Sequence, residues 1–131
     1  MGNICRSPVA ECFFRLAINA TNRSNQFLIE SAGTGGWHVG NAPDRRMRAA
    51  AQKQGLSIEG SARQITAEDL TEFDWIFCMD QDNYDDVIDM GGDHNKTKLL
   101  LSYVGNEEVT EVPDPYFGGD DGFDDVVKLI N

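Results

Sequence analysis

The sequence has few cysteines, few histidines and no long apolar run. The three cysteines, Cys5, Cys12 and Cys78, are an odd and scattered set, so they predict no disulfide framework and favour a reducing compartment. No apolar run approaches the roughly 18–20 residues that a membrane-spanning helix needs, and no basic-then-apolar leader opens the chain. The two histidines, His38 and His94, lack ligand spacing, so we expect no metal and no other cofactor. These observations predict a cytoplasmic protein with no membrane partner.

Positive charge is also scarce, and it is unevenly placed. The chain has 11 basic and 22 acidic side chains, a formal net charge of −11. Residues 1–65 hold eight basic and four acidic side chains, whereas residues 66–131 hold three basic and eighteen acidic ones. Most of the acidic residues are interpreted as solvated helix faces. Because the second half would repel a polyanion, a nucleic-acid partner is disfavoured, and an anion site is expected in the first half.

The 131 residues predict one domain with a single core. Apolar spacing and cap residues predict helices over residues 8–20, 44–54, 81–90 and 122–130, and a short helix that begins at Thr66. Apolar runs predict strands at Gln26–Ala32 and Trp75–Met79, while residues 98–101 fit either a strand or a short helix. Strands that alternate with helices indicate an α/β domain with a parallel sheet.

The chain opens on a glycine-containing loop that runs into a helix start, Met1-Gly2-Asn3-Ile4-Cys5-Arg6-Ser7-Pro8. Ser7 is predicted to be the N-cap and Pro8 the first helical residue. Such a loop gathers backbone N–H groups around one point, and the planar Arg6 guanidinium can hold a phosphate by two hydrogen bonds. The residue types alone favour an ordinary loop and helix cap, with a phosphate site as the second interpretation.

The same string resembles the phosphate-binding loop of the low-molecular-weight protein-tyrosine phosphatases, which reads Cys-Leu-Gly-Asn-Ile-Cys-Arg-Ser-Pro. The resemblance continues along nearly the whole chain. The matching strings are Ser31-Ala32-Gly33-Thr34, Trp37-x-x-Gly40-x-x-Pro43-Asp44, Ala62-Arg63-Gln64, Met79-Asp80-x-x-Asn83 and Val112-Pro113-Asp114-Pro115-Tyr116. The resemblance implies a doubly wound, mostly parallel four-stranded sheet flanked by helices.

The resemblance also implies an activity, the hydrolysis of aryl phosphate monoesters through a phosphocysteine intermediate. The substrate would be a phosphotyrosine-containing protein or a small aryl phosphate. Asp114 is implied as the general acid, and Trp37 and Tyr116 as aromatic walls beside the substrate ring. The phosphate would be held by the loop residues Gly2, Asn3, Ile4, Cys5, Arg6 and Ser7, with Arg6 also catalytic.

Two positions depart from the pattern of some relatives. Phe117 stands where some relatives carry a second tyrosine, so regulation by phosphorylation there is not expected. Gly60 stands where some relatives have a histidine that supports the phosphate loop. That support is expected to be lost or replaced in this chain.

The decisive departure concerns the nucleophile. In the family's Cys-x5-Arg pattern the nucleophilic cysteine lies six positions before the loop arginine. Counted back from Arg6, that position falls one residue before Met1. We therefore expect the domain formed by residues 1–131 to lack its first strand, to be incomplete at the C-terminus as well, and to be inactive as written. Cys5 is not expected to substitute, because the residue beside Arg6 should point its side chain away from a bound anion.

Three functions follow from these patterns. The first is a tyrosine phosphatase, which we expect to be a monomer. The second is an arsenate reductase of the same fold, but that chemistry needs further cysteines to relay a disulfide and none follows Cys78. The third is a non-catalytic module that binds phosphate or phosphotyrosine, since the loop and Arg6 are present without the nucleophile.

Overall fold

The structure is a computed structural model that describes residues 1–131, apart from the side chain of Asp120. Its helices and strands follow in the order α1 (Arg6–Asn19), α2 (Arg45–Lys53), α3 (Ala67–Glu72), β1 (Ile76–Cys78), α4 (Gln81–Asp89), β2 (Thr97–Leu99), α5 (Leu100–Tyr103) and α6 (Asp120–Ile130). A short 3-10 turn, Ser24–Gln26, follows α1. In the described part of the chain, every helix is too short or too polar to cross a membrane.

The sheet is built around one strand–helix–strand unit. β1 and β2 pair in parallel, with Ile76 opposite Thr97 and Cys78 opposite Leu99. Helix α4 connects the two strands and packs against both, as a parallel pair requires a crossover connection. The segment 98–101, which fitted a strand or a helix, contains the end of β2 and the start of α5.

The predicted strand at Gln26–Ala32 differs from the structure. Its first residue belongs to the 3-10 turn, and in the described chain no residue of the segment pairs with a strand. Pairing begins only at Gly33, which forms a parallel bridge with Gln64. Leu28 is 73 % exposed and Phe27 is 44 % exposed, so much of the apolar surface of the segment is not covered. A single extended segment without a partner has no ladder to stabilise it, which explains the difference.

Two helix starts show how far cap residues predict local structure. At α3, Thr66 and Asp69 form the expected capping box, each side chain bonded to the other's backbone N–H. At α1 the prediction is wrong, because the helix already begins at Arg6. The Ser7 hydroxyl does not cap the helix, and instead accepts a hydrogen bond of 2.8 Å from Asn3.

The main core lies between α1, α2 and α6. Helix α6 packs against both of the other helices. The core side chains with the least exposure are Val9, Met47, Ala51, Val112, Phe123, Val126 and Val127. The loop before α1 joins the same core through Ile4 and Cys5, so the position of the loop backbone depends on the main packing of the domain.

Hydrogen exchange tests the unpaired state of residues 28–32. None of their amides donates a backbone hydrogen bond within the described chain, whereas the amides of Gly33 and Ile65 each donate one of 2.8 Å. We expect residues 28–32 to exchange close to the rate of an unfolded chain, and Gly33 and Ile65 to be protected. NMR-detected exchange measures both groups in one sample. Equal protection of residues 28–32 and Gly33 would show that the segment is paired after all.

Candidate active site

The loop Gly2–Ser7 precedes and enters α1, and the surrounding backbone holds its shape. Asn3 has a φ of 59°, a left-handed conformation that asparagine adopts more readily than most residues. The Ile4 carbonyl accepts a hydrogen bond of 2.7 Å from the Asp44 amide. Gly33 lies against the start of the loop, where an added Cβ would come within 2.2 Å of the Met1 carbonyl oxygen. Only glycine allows this close approach.

The buried Asn3 side chain bonds to Ser7 within the loop and connects the loop to two other parts of the chain, at Ser31 and Arg63. Its Nδ2 donates to Ser7 Oγ at 2.8 Å and to Ser31 Oγ at 3.0 Å. Its Oδ1 accepts a hydrogen bond of 3.0 Å from the Arg63 amide. All of the amide's donor capacity is therefore used inside the protein, and the loop is held by side-chain as well as backbone contacts.

The start of α1 offers unpaired donors. Cys5 occupies the N-cap position without a capping side-chain hydrogen bond, and the first turn contains no acidic residue. The first N–H groups of a helix have no partner within the helix, and the helix dipole adds partial positive charge there. Together with the loop amides, these groups favour a bound anion.

The Arg6 guanidinium is the central cation of the site, and its side chain is only 4 % exposed. Nη1 donates to Asp80 Oδ2 at 2.5 Å and to the Val112 carbonyl at 2.8 Å. Nη2 lies 3.6 Å from Asp114 Oδ2. A permanently charged group that is nearly excluded from water needs such partners, so these contacts fix the direction of the side chain.

The Asp80 carboxylate is hydrogen-bonded to two helices, α4 and α1. It is the N-cap of α4, where Oδ1 accepts a hydrogen bond of 2.8 Å from the Asn83 amide, while Oδ2 binds Arg6. Burial favours the neutral carboxyl, but the hydrogen bonds from Arg6 and Asn83 outweigh burial and lower the pKa of Asp80. Asp80 therefore supplies a fixed negative charge beside Arg6 at neutral pH.

The segment around Asp114 is attached to the same point. The Val112 amide donates to the Met79 carbonyl at 2.7 Å, and the Val112 carbonyl accepts from Arg6. Two residues later, Asp114 Oδ1 accepts a hydrogen bond of 3.0 Å from the Tyr116 amide, closing a local turn. The Asp114 side chain is 30 % exposed, so a carboxyl group lies at the site with access to solvent.

The three thiols lie in environments that favour the protonated form. Cys5 is 6 % exposed in the main core, and burial, together with the Asp44 carboxylate, raises its pKa to about 12. Burial likewise raises the pKa of Cys78 to about 12 and shifts the pKa of Cys12 upward. A nucleophilic thiol needs a depressed pKa, so none of these three cysteines has the properties of a nucleophile.

The aromatic residues Trp37 and Tyr116 both lie close to a third ring, that of His38. The His38 ring centroid is 6.3 Å from that of Trp37 and 5.9 Å from that of Tyr116. Trp37 is 65 % exposed and Tyr116 is half-buried, with the Arg46 guanidinium 5.3 Å from the Tyr116 ring centroid. His38 also covers Gly2, since an added Cβ there would meet its ring at 2.5 Å.

Three participants in this geometry are not predicted from the residue patterns: Asp80, Val112 and His38. Asp80 had an available signal, because it lies two residues after the end of β1 and ligands bind beyond the carboxyl ends of parallel strands. His38 was considered only as a metal ligand. Val112 acts through its backbone, which no residue type reveals. Among the described side chains, no cluster of three or more metal-binding groups occurs.

Comparisons with known proteins agree on one family. The family model described as "Low molecular weight phosphotyrosine protein phosphatase" matches residues 1–131. The chain is 40 % identical over 133 residues to the low molecular weight protein-tyrosine-phosphatase YfkJ of Bacillus subtilis, covering 99 % of this chain and 84 % of the relative. It is 36 % identical over 131 residues to the human low molecular weight phosphotyrosine protein phosphatase, covering 98 % of this chain and 83 % of the relative.

A solved structure confirms the predicted fold class. A protein tyrosine phosphatase from Entamoeba histolytica, crystallised with Hepes in its active site, matches with a TM-score of 0.92 at 34 % identity. The match covers 99 % of this chain and 85 % of that chain. The chain therefore has the α/β architecture, with a parallel sheet flanked by helices, that the alternation of strands and helices predicted.

Replacing Asp80 tests the pairing with Arg6. Asparagine is a good N-cap, so Asp80→Asn keeps the start of α4 but removes the nearer of the two carboxylates that face the buried guanidinium. We expect the free energy of unfolding in urea at neutral pH to fall by about 3 kcal/mol. Asp74→Asn removes the same charge at an exposed position and should change stability by no more than about 0.5 kcal/mol. Equal effects of the two substitutions would contradict the pairing.

The pH dependence of the stability difference between the wild type and Asp80→Asn tests the lowered pKa of Asp80. Folding places the pKa of Asp80 below its unfolded value of about 3.9, so its stabilisation is fully present above that value. The stabilisation is lost as the pH falls through the folded pKa. The stability gap between the wild type and Asp80→Asn should therefore be constant at neutral pH and shrink below about pH 4. A gap that widened on acidification would be the opposite result.

Proposed function

The chain belongs to the low molecular weight phosphotyrosine protein phosphatase family, and we propose that residues 1–131 form one domain whose loop Gly2–Ser7 holds the phosphate of a phosphotyrosine side chain. The reaction of the family is the hydrolysis of aryl phosphate monoesters through a phosphocysteine intermediate. The observation that carries the proposal is the buried Arg6 guanidinium at this loop, with the Asp114 carboxylate 3.6 Å away.

The loop and Arg6 supply complementary donors for a phosphate. Both N–H groups of Nη1 are used by Asp80 and Val112, whereas Nη2 and Nε of Arg6 donate no hydrogen bond among the described contacts. These two nitrogens lie along one edge of the guanidinium and can bind two phosphate oxygens, while the loop amides bind the others. The same donors would stabilise the charge on the oxygens as the phosphoryl group is transferred.

Asp114 is proposed as the general acid. In the first step the sulfur of the family's nucleophilic cysteine bonds to phosphorus, and the bond between phosphorus and the aryl oxygen breaks. The leaving phenolate takes the Asp114 proton. In the second step the Asp114 carboxylate takes a proton from water, whose oxygen attacks phosphorus and releases the thiolate and inorganic phosphate. Its partial exposure, with one oxygen held by the Tyr116 amide, supports this role.

Trp37 and Tyr116 are proposed as walls for the substrate ring, and His38 lies within ring-contact distance of both. The contact of His38 with Gly2 and the 65 % exposure of Trp37 support an open surface of aromatic groups beside the loop. Such a surface suits a phenyl ring, which can contact aromatic faces and edges. We propose a phosphotyrosine-containing protein or a small aryl phosphate as the partner. The three free thiols support a cytoplasmic location.

The nucleophile is proposed to lie outside residues 1–131. The family's pattern puts it one position before Met1. The Met1 amino group, to which a preceding residue would be bonded, has its pKa lowered by burial and by Arg6, against opposing effects of Asp80 and Asp114. These influences indicate that the amino group is close to the proposed phosphate site. A residue attached there would begin within the electrostatic influence of Arg6, Asp80 and Asp114, whereas Cys5, Cys12 and Cys78 all have raised pKa values.

A second candidate function is a binding module for phosphate or phosphotyrosine. The raised thiol pKa values favour it for the 131-residue chain, because the anion-binding groups are present without a thiolate. The two functions differ only in turnover. They are therefore separated by an assay of hydrolysis rather than of binding.

Hydrolysis of p-nitrophenyl phosphate tests this proposal. Two proteins are compared: the 131-residue chain, and the same chain preceded by an apolar strand that ends in cysteine and completes the Cys-x5-Arg pattern. We expect no turnover by the first and turnover by the second, since a thiolate at a helix N-terminus is nucleophilic at neutral pH. The matched control carries the same strand ending in serine and should be inactive.

Two further variants test the role of Arg6 and exclude or identify Cys5 as the nucleophile. Arg6→Ala in the extended protein should abolish most of the activity, because the phosphate then loses its guanidinium partner. Cys5→Ser in the extended protein leaves the added cysteine before Met1 in place, so hydrolysis should be retained. If the 131-residue chain hydrolysed the substrate in an Arg6-dependent manner that Cys5→Ser removed, Cys5 would be the nucleophile and the proposal would be wrong.

A further inference from the structure

We propose that Arg46 is a positioning residue for the general acid, because its guanidinium holds the Tyr116 ring and thereby fixes the Asp114 turn beside the phosphate loop. The inference rests on the proposed role of Asp114 as the general acid. Among the described contacts, Arg46 forms hydrogen bonds and an ion pair with Asp44, and its guanidinium lies over two aromatic rings. None of these contacts is with Asp114 itself, so Arg46 acts through Tyr116.

Arg46 lies where a helix disfavours a cation. Arg45 and Arg46 are the first two residues of α2, and its first turn contains no acidic residue. The N-terminus of a helix carries partial positive charge, so two cations there are electrostatically unfavourable. Arg45 is exposed and screened by solvent, whereas Arg46 is partly buried and needs a compensating contact.

Asp44 supplies this contact and sets the direction of the guanidinium. Arg46 Nε donates to Asp44 Oδ1 at 3.2 Å and Nη2 donates to Oδ2 at 3.1 Å, which makes a fork of two parallel hydrogen bonds. Asp44 is also the N-cap of α2, where Oδ1 accepts from the amides of Arg46 at 2.8 Å and Met47 at 3.4 Å. The carboxylate that orients the guanidinium is therefore itself fixed by the helix backbone.

The oriented guanidinium contacts one ring of the core and one ring of the site. Its carbon, Cζ, lies 4.5 Å from the Phe123 ring centroid and 5.3 Å from the Tyr116 ring centroid. Both distances are within the roughly 6 Å over which a cation attracts the face of an aromatic ring. Phe123 lies on α6 and is buried in the main core. Arg46 therefore attaches the half-buried Tyr116 ring to a rigid part of the domain.

Tyr116 is a main attachment of the segment that carries Asp114. Between Val112 and the start of α6, Pro115 is buried and Tyr116 is half-buried, whereas the other described residues are exposed. The Tyr116 amide donates to Asp114 Oδ1 at 3.0 Å, so the ring and the carboxylate belong to one turn. Holding the ring therefore holds the direction of the Asp114 carboxyl group.

The other end of this connection is the phosphate loop. The Asp44 amide donates to the Ile4 carbonyl at 2.7 Å, so Asp44 contacts the loop through its backbone and Arg46 through its side chain. From Ile4 the connection runs through Asp44 and Arg46 to Tyr116. The general acid is thereby held at a defined distance from the loop in which the phosphate is proposed to bind.

Two substrates with different leaving groups test the inference in the extended protein that carries the added cysteine. The phenolate released from phenyl phosphate is about as basic as the tyrosine side chain, whose pKa is about 10, and needs protonation by the acid as it leaves. p-Nitrophenolate is much less basic and needs protonation far less. Arg46→Met keeps an unbranched side chain with good helix propensity but removes the charge. We expect kcat/KM to fall about tenfold more for phenyl phosphate than for p-nitrophenyl phosphate.

Two matched comparisons separate positioning of the acid from general effects. Arg45→Met removes the same charge from the adjacent, exposed position and should change the ratio of the two kcat/KM values by less than about twofold. In an Asp114→Asn background, Arg46→Met should not change the ratio further, because no acid remains to be positioned. Equal losses on both substrates in Arg46→Met, or the same change of ratio in the Asp114→Asn background, would overturn the inference.

Hydrogen exchange gives a readout that needs no substrate. In the 131-residue chain, Arg46→Met should speed exchange of the Tyr116 amide by about fivefold or more, because its hydrogen bond to Asp114 is no longer held. The Val112 amide, which is bonded outside this turn, should be unchanged, and neither amide should change in Arg45→Met. If the extended wild type hydrolysed neither substrate, the proposed function would fail, and exchange would still decide this inference. An unchanged Tyr116 amide, or equal acceleration of both amides, would contradict it.

Discussion

Burial of the Arg6 guanidinium is the constraint on which the geometry of the site depends. The group is permanently charged and almost fully enclosed, so it must meet acceptors within the protein. These come from the start of α4, where Asp80 lies, and from the carbonyl of Val112. The Val112 amide is in turn bonded to Met79, directly before Asp80. One buried cation therefore holds the loop, the end of β1 and the segment that carries Asp114 in one place.

The same packing holds the loop backbone in place and buries the Cys5 thiol. The loop backbone is joined to the main core by Ile4 and Cys5, which fixes the loop but removes the Cys5 thiol from water. Burial raises the pKa of this thiol to about 12, although it lies next to Arg6 in the chain. Desolvation thus outweighs the neighbouring positive charge. The described chain combines a well-supported loop of backbone N–H groups, proposed as an anion site, with cysteines that are suited to packing.

Much of the fold and part of the site were predictable, and the differences have physical reasons. The capping box at Thr66 is formed by two residues three positions apart, so the local sequence is sufficient to predict this helix start. Ser7 also looks like a local cap, but a tertiary contact from Asn3 occupies its hydroxyl. The segment Gln26–Ala32 has a strand-like composition, yet a strand also needs a partner that local sequence does not report. The role of Val112 lies in its backbone and could only be found from the structure.

A crystal structure of the 131-residue chain soaked with tungstate tests the central claim most directly. We predict a tetrahedral anion bound by the amides of Gly2–Ser7 and by Nη2 and Nε of Arg6, with Nη1 still bonded to Asp80. An empty loop at a tungstate concentration that fills other sites on the protein, with Arg6 unchanged, would contradict the claim that this loop is an anion site.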